Sequence, residues 1–257
     1  MKKVIVSGCS FTFEDWNWPK FLIKHLNVRK QNLNNVGMAS QGNGLISKKL
    51  IYAVNKELET TKPEDILVGV MWSGVDRFDF HSENNYSSDN WGNNGHVSQI
   101  DNPTSIAVEK KWYFINPGWD RLVNPHPLMK SYYEYFHSDI GMLVNTIHSI
   151  LLVQWYLKER GVKYFMTTFM DIFKHYPKNI LESEDVRHLY QLIDFNNFLD
   201  VDGCYEYVSK NFSSGMPSSK NPGIHPLESG HEYFTNTVII PHLNKMGIKP
   251  NGGRDLI

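Results

Sequence analysis

Ile66-Leu67-Val68-Gly69-Val70-Met71-Trp72 is an unbroken run of apolar residues and glycine between the breaker Lys62-Pro63-Glu64-Asp65 and the polar Ser73. A strand with one wet face alternates apolar and polar residues. A continuous run of this length suits a strand buried on both faces, at the centre of a parallel sheet. Working outward, Leu45 to Leu58 places Ile46, Leu50, Ala53 and Val54 at helical spacing before the run. Further back, Asn32–Gly44 carries a weak strand ending near Val36, and Trp18-Pro19 opens a helix with Phe21, Leu22 and Leu26 on its apolar face. Residues 3–7 (Lys-Val-Ile-Val-Ser) form a short β-branched strand closed by Gly8. Downstream, Ser138-Asp139 starts a helix with Leu143, Val144, Ile147, Leu151 and Trp155 as its buried stripe, ended by Gly161; Val162–Thr168 is the next strand. A helix over 184–197 follows. A last helix starts at Pro226 with Leu227, Gly230, Phe234 and Val238 inward, and Pro241 kinks or ends it. Strands alternating with helices predict an α/β protein: a three-layer α/β/α sandwich around a mostly parallel, flavodoxin-like sheet.

The chain has 257 residues, 41% hydrophobic and 21% charged, which is enough for one sizeable core. Residues 81 to about 127 differ in character. Asn, Ser and Gly dominate, and Trp91, Trp112, Tyr113, Phe114 and Trp119 are scattered among them without an aliphatic core. This predicts a single domain over 1–257 with an inserted loop region at about 81–127. The aromatics read as a satellite core under a long loop, or as stacking surfaces for sugar rings.

Net charge is −1, so no global field favours nucleic acid or an anionic membrane, and neither is expected as a partner. The two cysteines, Cys9 and Cys204, have no metal-ligand spacing and read as free thiols of a reducing compartment. Val6-Ser7-Gly8-Cys9 imitates a lipoprotein cleavage box, but only Val4–Val6 precede it as an apolar segment. A signal peptide needs about 7–15 such residues, and no run approaches the ~20 of a membrane helix. The expected location is cytoplasmic.

Ligands of open α/β sheets bind beyond the carboxyl ends of the strands. Loops 8–15, 37–44 and 73–79 leave such ends here, and 221–226 can return to the same edge. In Gly8-Cys9-Ser10-Phe11-Thr12 a serine sits on the turn after strand 1. Alone it reads as an ordinary helix cap. In Gly223-Ile224-His225-Pro226 the proline holds the histidine in an extended conformation, and a neutral imidazole is the usual general base for a serine nucleophile. Alone it is one loop histidine of eleven. The glycines of Asn35-Val36-Gly37-Met38-Ala39-Ser40-Gln41-Gly42-Asn43-Gly44 let backbone N–H groups approach a ligand, or simply make a turn. Asn43 in this loop is a candidate substrate contact. Arg77, close behind strand 3, is another: it either binds a substrate carboxylate or phosphate in a fork, or braces its loop through Asp76 or Asp79.

Together these stretches resemble the SGNH (GDSL-like) hydrolase family. Gly8–Thr12 is similar to its first block, which implies Ser10 as nucleophile. Residues 35–44 are similar to its second, which implies an oxyanion donor at the backbone N–H of Ser40 or Gly42, beside that of Ser10. Met71-Trp72-Ser73 falls where the third block follows strand 3, and Gly223–Pro226 is similar to the fifth, which implies His225 as base. The order spans residues 4 to about 240. Three positions depart from the pattern. Ser73 stands where the family has an oxyanion-binding Asn, Pro222 stands where it has the Asp that orients the histidine, and Cys9 replaces its Asp. The resemblance implies a cofactor-free esterase with a Ser10–His225 dyad, acting on a small-molecule or carbohydrate ester such as an O-acetyl group. The departures leave two alternatives: a weak or inactive relative that binds a glycan, and an acyl transferase between sugars. Oligomeric state is not encoded in any of these features.

Overall fold

The computed structural model describes residues 1–39, 41–81, 97–99, 112–115, 127–174, 178–218 and 225–251. Four parallel strands make the main sheet: β1 (Lys3–Gly8), β2 (Leu33–Asn35), β3 (Ile66–Trp72) and β7 (Lys163–Thr168), in the order β2-β1-β3-β7. The register runs from Lys3↔Ile66 to Gly8↔Met71 and from Leu67↔Lys163 to Trp72↔Thr168, so β1, β3 and β7 end level with one another. An isolated parallel bridge, Met166↔Phe198, lies beyond β7 at the fifth position of a flavodoxin-like order.

Side-chain alternation splits the interior into two layers, one on each face of the sheet. Ile5, Val68, Val70 and Met166 pack with α3 (Asn43–Glu57) and α5 (Asp139–Glu159). Val4, Val6, Leu67, Met71 and Phe165 pack with α2 (Trp18–Leu26) and, further on, with α8 (Cys204–Asn211), α9 (Glu228–Phe234) and α10 (Ile240–Lys245). The result is the three-layer α/β/α sandwich. Gly69 is required at its place in β3. A Cβ there would meet the Phe165 ring at 2.7 Å and the Trp18 ring at 2.9 Å, so the bare backbone is what lets two large rings pack against the central strand.

The elements form for local reasons. Pro19 sits in the first turn of α2, and Asn27, with φ +53°, ends it in the left-handed conformation that asparagine tolerates. Ser138 caps α5 by accepting the Gly141 N–H at 3.3 Å, and Gly161, with φ +66°, turns the chain into β7. By length and composition α5 could cross a membrane, contrary to expectation; half of its most apolar window is buried against the rest of the fold.

Several expectations need correction. Trp155 is 53% exposed and lies outside the buried stripe of α5, which runs instead through Leu143, Ile147, Ile150, Leu151 and Leu157. The helix predicted over 184–197 is only α7 (Glu184–Tyr190). Gln154 of α5 stops it by donating to the Leu192 carbonyl at 2.9 Å and accepting the Asp194 N–H at 2.7 Å, which takes the backbone groups a longer helix would need. Leu227 is 44% exposed and precedes α9. Pro241 does not end the last helix. One π-helical turn (Thr235–Ile239) joins α9 to α10 just ahead of it, which accommodates the missing N–H. The inserted region begins earlier than its composition suggested. β4 (Phe78–His81), β5 (Val97–Gln99) and β6 (Trp112–Ile115) pair antiparallel in the order β4-β6-β5. Aromatic-rich β4 and β6 suit such strands. Trp91 and Trp119 lie outside the described residues.

Candidate active site

The turn after β1 is gripped from several sides. α1 (Ser10–Phe13) starts directly behind Cys9, whose carbonyl accepts the N–H groups of Thr12 and Phe13 at 2.9 and 3.1 Å. The Gly8 carbonyl accepts from the Met38 N–H at 3.0 Å and from Gln41 Nε2 at 2.6 Å. Buried Asn17 donates to the Ser10 carbonyl at 2.7 Å, and Asn35 donates to the Thr12 carbonyl at 2.7 Å. Gly8 has no room for a side chain: a Cβ would collide with the Thr12 hydroxyl and lie 2.8 Å from the Met71 carbonyl. Ser10 is thus held half-exposed on a turn whose own backbone carbonyls are fixed by amides of other loops.

The structure brings His225 to this turn. Its Nε2 lies 2.6 Å from the Ser10 Oγ, across 215 residues of sequence. The ring lies against Phe11, with centroids 4.7 Å apart, and Phe11 packs on Phe169 at 5.1 Å. Burial, and secondarily the positive charge of Arg77, pushes the His225 pKa below its usual value. The imidazole is therefore mostly neutral near pH 7, which is the form that can accept a proton from a hydroxyl. No described carboxylate is hydrogen-bonded to His225; Pro222 and its neighbours 219–224 lie outside the described residues.

The other expected residues fare differently. Gly42 is corrected as an oxyanion donor: its N–H is taken by Asp79 Oδ1 at 2.8 Å, while Asp79 Oδ2 accepts the Leu45 N–H at 2.9 Å. Asp79 is the cap of α3, joining it to β4. Burial raises its pKa to about 6 against the lowering effect of these two N–H groups. Lys49 on α3 is fully buried with no hydrogen bond to its Nζ, and burial lowers its pKa to about 8. The alternative donor, Ser40, lies outside the described residues. Asn43 lines a cavity beside Arg77 but is also a structural clamp. Its amide is buried, accepts the Ser73 N–H at 2.8 Å and donates to the Ser73 carbonyl and to Thr146 Oγ1, both at 3.1 Å. Ser73 itself is fully buried and its hydroxyl has no partner. Cys9 and Cys204 are free and buried, and burial raises the Cys204 pKa well above its usual value. Arg77 is not paired with Asp76 or Asp79 by any described hydrogen bond or ion pair. Its guanidinium lies 5.4 Å over the Phe169 ring.

Sequence reasoning missed what Asn17, Asn35, Gln41 and Asp79 do: each binds backbone groups of another segment. The amide-rich stretch 32–44 hinted at side chains that bind backbone, but their partners are remote in sequence. It also missed His231, which is fully buried beside the site, 6.1 Å from the Phe11 ring and 5.5 Å from the Trp16 ring, with neither ring nitrogen hydrogen-bonded. Burial first, and the charge of His225 second, lowers its pKa to about 3.

No protein-family model and no curated protein matches the chain. Among solved structures, the protein YxiM of Bacillus subtilis is similar over 96% of this chain, at 11% identity and a TM-score of 0.47. The chain spans 57% of the length of that protein.

Proposed function

We propose that this protein is a serine-dependent hydrolase of esters, a divergent member of the SGNH class, in which Ser10 is the nucleophile and His225 the base. The observation that carries the proposal is the 2.6 Å approach of Ser10 Oγ to His225 Nε2 at the carboxyl edge of a parallel sheet. Neutral His225 takes the Ser10 proton as Oγ attacks the ester carbonyl, then gives it to the departing alcohol. Water repeats the sequence on the acyl-enzyme. The oxyanion falls to the backbone N–H of Ser10; a second donor at Ser40 is what the family resemblance implies. A carbohydrate O-acyl group as substrate follows from the family resemblance alone.

A fluorophosphonate probe tests this. Wild-type protein labels at Ser10, and Ser10→Ala and His225→Ala abolish labelling. On model esters each substitution lowers kcat/KM by about 10³-fold or more.

A second reading is favoured by His225 having no carboxylate partner among the described residues: a scaffold that binds a glycan without turning it over. It predicts no labelling, and glycan binding unchanged in Ser10→Ala.

A further inference from the structure

The Arg77 guanidinium is short of partners. Arg77 is half-buried; one of its nitrogens, Nη1, is buried and has no hydrogen bond among the described residues, and no described carboxylate forms an ion pair with it. The nearest acids in sequence make no described hydrogen bond to it, although the charge of Arg77 is among the groups that lower the Asp79 pKa. Both oxygens of Asp79 are taken by the N–H groups of Gly42 and Leu45, and Asp76 makes no described bond to Arg77. Its aromatic neighbour, Phe169, offers no lone pair to the five guanidinium donors. A buried charged donor left empty is costly to keep, which makes it a binding element when something arrives to fill it.

Its position is informative. Arg77 follows β3 at the edge of the sheet that holds Ser10. Arg77 packs on Phe169, Phe169 on Phe11, and Phe11 on His225, so a row of packed side chains, with Phe11 and Phe169 buried, links the guanidinium to the dyad. Arg77 also borders a cavity of about 350 Å³ between α3 and α5, lined in addition by Asn43, Lys48, Asp79, Asn145 and His148 but not by Ser10 or His225. The field of Arg77 is felt at His225.

We infer that Arg77 is a specificity residue that receives an anionic oxygen group, a carboxylate or phosphate, carried by the ester that Ser10 attacks. The inference rests on the Ser10–His225 reading and deepens it. A planar fork matches two oxygens of one anion, which fixes the substrate's orientation as well as its charge. A neutral ester of the same size leaves the guanidinium empty and loses that orientation.

The test compares mono-4-nitrophenyl succinate with 4-nitrophenyl pentanoate, a neutral ester of similar size, on wild-type protein, Arg77→Gln and Arg77→Lys, each checked for folding by its thermal transition. The expected result is a kcat/KM preference for the succinate ester of about tenfold or more in wild type, erased in Arg77→Gln and partly kept in Arg77→Lys. Equal use of both esters by wild type, or an equal loss of both in Arg77→Gln, overturns the inference while Ser10 remains the nucleophile. If wild type cleaves neither ester and takes no fluorophosphonate label, the hydrolase reading fails separately. Calorimetric titration of Ser10→Ala with succinate and with inorganic phosphate then decides the anion site by itself. Binding that weakens at least about tenfold when Arg77→Gln is added supports it, and the better ligand names the oxyanion. Identical titrations with and without Arg77, including none in either, overturn it.

Discussion

Asn43 and Ser73 hold each other twice: the Asn43 side chain accepts the Ser73 N–H at 2.8 Å and donates to the Ser73 carbonyl at 3.1 Å. The first turn of α3 is thereby clamped to the end of β3, so the loop leading to Arg77 leaves the sheet in one direction. Thr146 of α5 accepts from the same amide and ties in a third element. Asn43→Ala leaves the N–H and C=O of residue 73 buried and unpaired. A loss of about 2–4 kcal/mol of unfolding free energy is expected, read in urea with an unchanged m-value. A loss under about 0.5 kcal/mol would show that water replaces the amide.

The pH dependence of the site follows from His225. Its pKa is held below the ordinary value by burial and by Arg77, so the neutral imidazole persists into mildly acidic solution. Fluorophosphonate labelling of Ser10 plotted against pH is expected to have an acid limb with a midpoint below 6.5. Arg77→Gln removes a neighbouring positive charge and moves that midpoint upward. An unmoved midpoint would mean that the two groups do not sense each other.

His231 predicts acid lability. Its folded pKa is about 3 against 6.5 for an ordinary histidine, so the unfolded chain binds the extra proton between those values. The stability that goes with the neutral ring is complete above pH 6.5 and is lost as pH falls towards 3, at up to about 1.4 kcal/mol per pH unit. His231→Phe keeps the aromatic contacts and flattens this part of the profile. Denaturant unfolding at pH 7, 5.5 and 4.5 reads it, and parallel curves for the two proteins would refute the assignment.

Asp79→Ala removes the cap shared by Gly42 and Leu45. At pH 7 it is expected to destabilise by about 1–2 kcal/mol. The Asp79 pKa is raised to about 6, so the folded protein holds the proton more tightly than the unfolded chain between about 4 and 6. The contribution of Asp79 therefore declines as pH rises through that window, and the deficit of the variant is larger at pH 4 than at pH 7. Thermal transitions at both values check the order.

Much of the sheet was legible because a strand buried on both faces writes itself as an apolar run: Ile66–Trp72 and the β-branched start of β1 needed only local information. So did the two stretches that carry Ser10 and His225, each placed next to a strand end or a helix start by glycine and proline. What stayed hidden depends on contacts between distant residues. Gln154 ends α7 through bonds that span 38 and 40 positions, and Asp79, inside a stretch of aromatic composition, takes the Gly42 N–H that the loop sequence offered to a ligand. Trp155 was misplaced because apolarity at helical spacing does not say how wide a helix's covered face is. Nor does spacing reveal that a π-helical turn can carry a helix past Pro241.

The hydroxyl of Ser10 and the imidazole of His225 are brought together over 215 intervening positions. During synthesis the serine is made 215 residues before its partner. A nascent or prematurely terminated product that stops short of His225 carries the hydroxyl on its own, without the group that would activate it. Chemistry at this pair would require both stretches to have met in one folded chain, so labelling of Ser10 would also report that meeting.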